Sequence, residues 1–196
     1  MCHLFCLKSK IMKIIGITGT LGAGKGTVVD YLRDHYGYKH YSVRGYLIEE
    51  AKRRGLELNR DTFVVVANDL RATHSPSYIT DQLYLQAAEN GSDAVIESVR
   101  TPGEVESLRQ QDHFILFAVD ADPMIRYERV VGRGSETDHI SYETFLENEA
   151  REMSSTDPNH QNIGCCMQMA DYVFHNNGDF EDLYRQVEAV LQEIDA

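Results

Sequence analysis

The chain has no tryptophan, only four prolines and only four cysteines in 196 residues. Cys2, Cys6, Cys165 and Cys166 lack the paired two-residue spacing of a zinc site, so they read as reduced thiols. Basic residues are also scarce: 19 Lys and Arg stand against 31 Asp and Glu, a net charge of −12. That balance repels a phosphate backbone, and no Lys/Arg block interrupts it, which argues against a nucleic-acid partner. No apolar run approaches the ~18 residues needed to span a bilayer, and the first ten residues lack the apolar stretch of a secretory signal. The expectation is a cytoplasmic protein with neither a membrane nor a nucleic-acid partner.

What is present suits one globular domain, with 42% hydrophobic and 26% charged residues and no linker rich in Pro, Gly or Ser. Met1 to Ile11 show no clear period, so residues 1–12 are expected as a frayed tail and 13–196 as the domain. Short β-branched or apolar runs alternate with helical spacing. Ile14 to Thr18 predicts a buried central strand, and Val28, Val29, Leu32 and Tyr36 predict a helix closed by Gly37. A strand over Tyr38 to Tyr41 and helices over Gly45–Arg54, Arg60–Thr73 and Ser77–Asn90 follow.

Ala94 to Ile96, Phe114 to Val119 and Tyr172 to Phe174 complete the strands. Thr101-Pro102-Gly103-Glu104 reads as a capping box, and Asp122-Pro123 starts a helix reaching Val131. Phe180, Leu183, Val187, Val190, Leu191 and Ile194 line one face of a C-terminal helix. Strands separated by helices imply a parallel sheet of about five strands with helices on both faces, a three-layer α/β fold. Gly132 to Asn162 lacks clear apolar order and is charged, as a small helical lid inserted at about 133–162 would be.

The sharpest motif is Gly19-Thr20-Leu21-Gly22-Ala23-Gly24-Lys25-Gly26-Thr27, between a predicted strand and a predicted helix. Glycines let backbone N–H groups turn inward around phosphates, and the helix adds its positive end. Gly22 to Thr27 are thus the candidate cradle for ATP phosphates, with Lys25 a point charge for the β and γ phosphates. Gly26 separates Lys25 from Thr27, where the usual motif has Ser or Thr next to the lysine.

Phosphoryl transfer needs two substrates in line and neutralised charge more than covalent help. Ser42 and Arg44 follow the second strand and Glu97-Ser98-Val99-Arg100 the third, so both loops open beside the first strand. A guanidinium grips phosphate by two parallel bonds, which makes Arg44 and Arg100 candidate clamps on an acceptor phosphate. Glu97 is a candidate to hold a magnesium-bound water, or to cap a turn or pair with Arg100. Arg126, Arg129 and Arg133 share a helical stripe before the lid, placed to bring positive charge over ATP or to pair with Glu128 or Asp122.

With the GKGT loop, the Arg100 segment and ERVVGRG in hand, Lys13 to Ile194 resembles the adenylate kinase-like group of nucleoside monophosphate kinases. Glu50 to Leu56, Glu97 to Arg100, Gly103 to Glu106 and Ala170 to Val173 look like a mainly archaeal, adenylate kinase-like branch, to which dephospho-CoA kinase is related. The resemblance implies a P-loop kinase fold, ATP as co-substrate and Mg2+, with Thr27 as the magnesium partner. It also implies that Arg129 and Arg133 are lid arginines on adenine and phosphates, and that Asn176 and Asn177 lie where backbone meets adenine. The branch usually has Asp-Gly where Glu97-Ser98 stands, and Ser42-Val43-Arg44-Gly45 is one residue longer than the adenylate kinase pattern.

A hydroxyl acceptor needs a base, as dephospho-CoA kinases supply with an aspartate after the second strand; here a cation, Arg44, stands there. The expected activity is therefore transfer of the γ-phosphoryl of Mg-ATP to a nucleoside or deoxynucleoside monophosphate. Transfer to a hydroxyl, with Glu49 or Glu97 as base, and a non-catalytic ATP-binding regulatory module are the alternatives.

Overall fold

The computed structural model describes residues 12–133 and 140–195. Residues 1–11 of the expected tail lie outside the described residues, as does part of the expected lid, 134–139. Met12 is not tail: it packs against an apolar core cluster, so the domain starts no later than this residue.

Five strands form one sheet, β1 Ile14–Gly19, β2 Lys39–Ser42, β3 Ala94–Glu97, β4 Phe114–Asp120 and β5 Tyr172–His175, in the order β2-β3-β1-β4-β5. Every pairing is parallel. All of β1 is buried, as its β-branched run requires of a strand covered on both faces. The register sets Gly19 opposite Val119 and Ser42 opposite Glu97, so the loops leaving β1 to β4 gather along one edge.

Side chains alternate across the strands and feed two separate cores. Ile15, Ile17 and Phe117 meet Val28, Leu32, Leu183, Val187 and Leu191 of α1 Lys25–Tyr36 and α9 Phe180–Asp195. Ile14, Ile96 and Leu116 point the other way. They pack on α2 Val43–Arg53, α3 Arg60–Thr73, α4 Tyr78–Asn90, α5 Pro102–Leu108 and α8 Ile163–Gln168.

The local stop and start signals act as expected at several ends. Gly37 takes the left-handed position after α1, Thr101 and Glu104 exchange both capping-box bonds, and Asp122 caps α6 Pro123–Gly132 through the Met124 N–H. α2 begins at Val43, earlier than Gly45, because the Ser42 hydroxyl accepts the Gly45 N–H and caps it.

The charged stretch after Gly132, expected to be helical, carries α7 Tyr142–Met153 among its described residues. That helix is anchored by one fully buried residue, Phe145, against the rings of Tyr127 and Tyr142. One anchor leaves no visible period.

Ser98 is held at φ 74, a left-handed conformation that a Cβ disfavours. The N–H groups of Ser98 and Val99 both donate to the Ile17 carbonyl, at 2.9 and 3.0 Å, which fixes the turn after β3. Glycine, usual here in the branch the sequence resembles, relieves this strain but adds unfolded-state entropy. Ser98→Gly is expected to raise the unfolding free energy by about 0.5 to 1 kcal/mol, measured by urea titration.

Candidate active site

The phosphate loop leaves the central strand and enters α1 with Gly19 at φ 136 and Gly24 at φ 102. Neither tolerates a side chain: a Cβ on Gly19 would lie 2.0 Å from the Val119 carbonyl oxygen, and one on Gly24 2.3 Å from Asn176 Nδ2. The loop is tied to its neighbours from two sides. Thr20 Oγ1 donates to Asp120 Oδ1 at 2.8 Å, and Asn176 Nδ2 donates to the Ala23 carbonyl at 2.8 Å.

Asn176 is therefore buried structure, and its backbone and side-chain oxygens accept from Arg129 Nη1 at 2.9 Å and Nη2 at 3.4 Å. Burial, with the field of Arg133, lowers the pKa of Arg129. Asn177 Oδ1 accepts from the Asp122 N–H at 2.7 Å. Arg133 caps the end of α6 and is exposed.

Arg126 departs from the cationic stripe. It is buried, donating from Nε to the Ala121 carbonyl at 2.7 Å and from Nη2 to Glu149 Oε1 at 3.0 Å. Its guanidinium also lies 5.6 Å from the Phe145 ring centre. The ion pair reaches across to α7, rather than along α6 to Glu128 or Asp122, and so fastens α7 beside the phosphate loop.

Lys25 donates to the carbonyls of Gly19 and Thr20 at 2.9 and 2.8 Å. Burial, and after it the charge of Arg100, push its pKa down to about 7, with Glu97 and Glu152 pulling the other way and Arg133 adding to the fall. Burial likewise lowers Arg100. Two cations from the carboxyl ends of adjacent strands thus stand in a half-buried place that disfavours positive charge, with Arg100 adding to the cost at Lys25, the electrostatic signature of an anion site.

The other acceptor candidates are placed as follows. Arg100 Nη1 donates to Gln161 Oε1 at 2.6 Å and lies 3.6 Å from Glu152 Oε2. Ser42 spends its hydroxyl on the α2 cap. Arg44 is exposed, 5.8 Å from the Phe63 ring centre, on the α2–α3 side. Glu97 Oε2 sits 3.0 Å from His40 Nε2, and this bond, opposed by burial and helped by Lys25 and Arg100, holds its carboxyl below the usual range.

A cavity of about 500 Å³ opens between α3 and the α7 segment, lined by Asn59, Arg60, Asn68, Asn148, Arg151 and Gln161 among others. Arg60, Glu152 and His40 were not singled out in the sequence. Each acts through a partner distant along the chain, which spacing does not reveal.

For magnesium, the donor set fits. Thr27 Oγ1 lies at the loop's edge, where a Cβ on Gly24 would be 3.9 Å away, and Glu97 is ionised. Among the described residues no group of three His, Cys, Asp or Glu could hold an ion alone. Such a sparse set of hard oxygens suits an ion that takes most of its ligands from water and substrate phosphates.

Because a phosphate chain raises the pKa of an ammonium it pairs with, nucleotide binding at about pH 8 should take up close to one proton at Lys25. Calorimetric titration of ADP in two buffers of different ionisation enthalpy measures this, and Arg100→Met should reduce the uptake because it removes a cause of the low pKa.

Residues 15–155 match the family model described as AAA domain. Over 186 residues the chain is 32% identical to the UPF0200 protein MJ1399 of Methanocaldococcus jannaschii, covering 93% of this chain and 91% of that protein. Among solved structures, TT1252 from Thermus thermophilus superposes with a TM-score of 0.65 at 23% identity, covering 94% of this chain and 98% of that one. Shikimate kinase from Bacteroides thetaiotaomicron gives 0.58 at 13% identity, covering 92% and 99%. The architecture is an α/β P-loop kinase fold. With its phosphate loop inside the matched domain and nearly its whole length aligned to MJ1399, the chain belongs to the AAA domain family and to UPF0200.

Proposed function

We propose that the protein is an ATP-dependent phosphotransferase that moves the γ-phosphoryl of Mg-ATP to a small acceptor carrying its own phosphate, a nucleoside or deoxynucleoside monophosphate. The observation that carries this reading is the pairing of Lys25 with Arg100. Burial disfavours the charge on both, Arg100 adds to that cost at Lys25, and two facing phosphate groups would relieve each. Lys25 belongs to the loop that would hold the donor, whereas Arg100 faces Gln161 and Glu152 on the rim of the cavity.

In this reading an acceptor phosphate oxygen attacks the γ-phosphorus in line, the new P–O bond forms as the β–γ bridge breaks, and ADP leaves. Backbone N–H groups of residues 22–27 hold the donor phosphates, Lys25 and Arg133 offset charge on the transferring group, and Arg100 orients the acceptor. Arg129, fixed by Asn176, would border the adenine. Arg44 and Ser42 are assigned to the acceptor side, from the start of α2. Magnesium, held by Thr27 and through water by Glu97, supplies neutralising charge when bound.

A hydroxyl acceptor is the second reading, favoured by Glu97 and by the likeness to a protein named shikimate kinase. Glu97 is held below the ordinary carboxylate range, which weakens it as a base, and this tips the balance to an acceptor already ionised.

A panel of nucleoside monophosphates, dephospho-CoA and shikimate, scored for acceptor-dependent ADP release, decides between them. Monophosphate-dependent release is expected; no release above background with any acceptor rejects the kinase reading and leaves a nucleotide-binding module. Lys25→Ala should lose roughly 3 to 4 kcal/mol of transition-state stabilisation in kcat/KM. Arg100→Ala should chiefly raise the acceptor KM.

A further inference from the structure

In a chain with a net charge of −12, Arg60 and Arg71 lie within reach of the charge of Arg100, and Arg100 within reach of Lys25. Arg71 is matched there: it forms a buried pair with Glu104 at 2.8 Å. Glu97 is engaged with His40. Among the described residues, Lys25, Arg100 and Arg60 all feel or touch one further carboxylate, Glu152, near the C-terminal end of α7.

The geometry of that carboxylate is bridging. Arg60 Nη2 donates to Glu152 Oε1 at 2.5 Å, while Arg100 Nη1 lies 3.6 Å from Oε2. The arginines come from different elements, Arg60 from the first turn of α3 and Arg100 from the loop after β3; Arg60 bonds one oxygen of the head group, and Arg100, hydrogen-bonded to Gln161, faces the other as an ion pair. Two guanidinium groups converging on neighbouring oxygens of one anion is the arrangement that recognises a phosphate. Arg60 also lines the cavity beside Glu152, so this bridge lies at the mouth of a space that could take the remainder of a ligand.

We infer that Arg60 and Arg100 form a clamp for the phosphate of a phosphomonoester acceptor, and that Glu152 is its internal stand-in, a carboxylate that the arriving phosphate displaces. The clamp rests on the acceptor reading given above and adds Arg60 to it. It also gives α7 a second task. A lid helix that contributes a competing anion is latched to α3 until acceptor binds, and releasing Glu152 frees the C-terminal end of α7 to move. The helix stays attached through Phe145 near its start and through the Arg126–Glu149 pair one turn before Glu152, so only the last turn is released.

The test is calorimetric titration of inorganic phosphate, in saturating Mg-ADP to occupy the phosphate loop, into native protein, Glu152→Gln, Arg60→Met and the double variant. Glu152→Ala serves as a second removal of the competing charge, and thermal melts confirm that each variant is folded. Removing Glu152 is expected to tighten phosphate binding by about tenfold, because a like charge is withdrawn from the anion's place. The double variant should lose that gain.

Unchanged or weaker phosphate affinity in both Glu152 variants overturns the clamp, as does a gain that survives Arg60→Met. A purely structural latch would lower the melting temperature of Glu152→Gln without tightening phosphate binding, and it too overturns the proposal. The binding readout is independent of turnover. The clamp can therefore fail while monophosphates are still phosphorylated, and it can stand if the acceptor panel shows no transfer.

Discussion

The fully buried carboxylate of Glu104 organises the side of the molecule that carries Arg100. Its Oε1 accepts from Arg71 Nε at 3.2 Å and Nη2 at 2.8 Å, and its Oε2 accepts the backbone N–H groups of Arg100 at 2.7 Å and Thr101 at 3.1 Å. Every lone pair that faces the interior is thereby used, which is the condition for keeping a carboxylate out of water. The consequence runs in two directions. The Arg100 backbone is fixed relative to α5, and α3, which carries Arg71, is fixed relative to both. Asn162 adds a third tie by donating its N–H to the Arg100 carbonyl at 2.8 Å. Arg100 can then face Lys25 and Glu152 only because its loop has been immobilised from behind.

On the donor side the corresponding element is Asn176. Its amide nitrogen holds the Ala23 carbonyl and its oxygens hold Arg129, so the phosphate loop, the end of β5 and the end of α6 share one residue. Arg126 continues that frame outward to α7 through Glu149. The phosphate loop is thus supported by polar groups from the C-terminal half of the chain, although its own sequence is entirely local. This is preorganisation in a concrete sense: N–H groups held in place before a ligand arrives need not be gathered by it.

Much of this was legible in the sequence because it is encoded locally. The phosphate loop announces itself by glycines between a β-branched run and a helical period, and the capping box at Thr101 and Glu104 is a four-residue signal whose two bonds are both present. The parallel sheet follows from alternation alone. What could not be read were pairings between distant positions, such as Arg126 with Glu149, Arg60 with Glu152 and His40 with Glu97. A charged residue on a helix looks solvated until its partner's position in space is known. A helical segment was expected there, but the bounds of α7 escaped for a related reason, since one buried ring supports it and its remaining apolar residues set no repeat. Arg126 shows the cost of reading a stripe by spacing: three arginines at helical intervals look alike, yet one is buried and turned inward.

The division of the apolar interior into two clusters on opposite faces of the sheet has a mechanical meaning. The nucleotide-side cluster joins α1 and α9 to β1, β3 and β4, whereas the other holds α2 to α5 and α8. Only the strands belong to both. Helices that would have to shift around an acceptor can therefore rearrange at the expense of one core while the other keeps its packing, with the rigid sheet between them as a partition. A protein that must grip one ligand firmly and admit another is served by having its softness confined to one side of a wall.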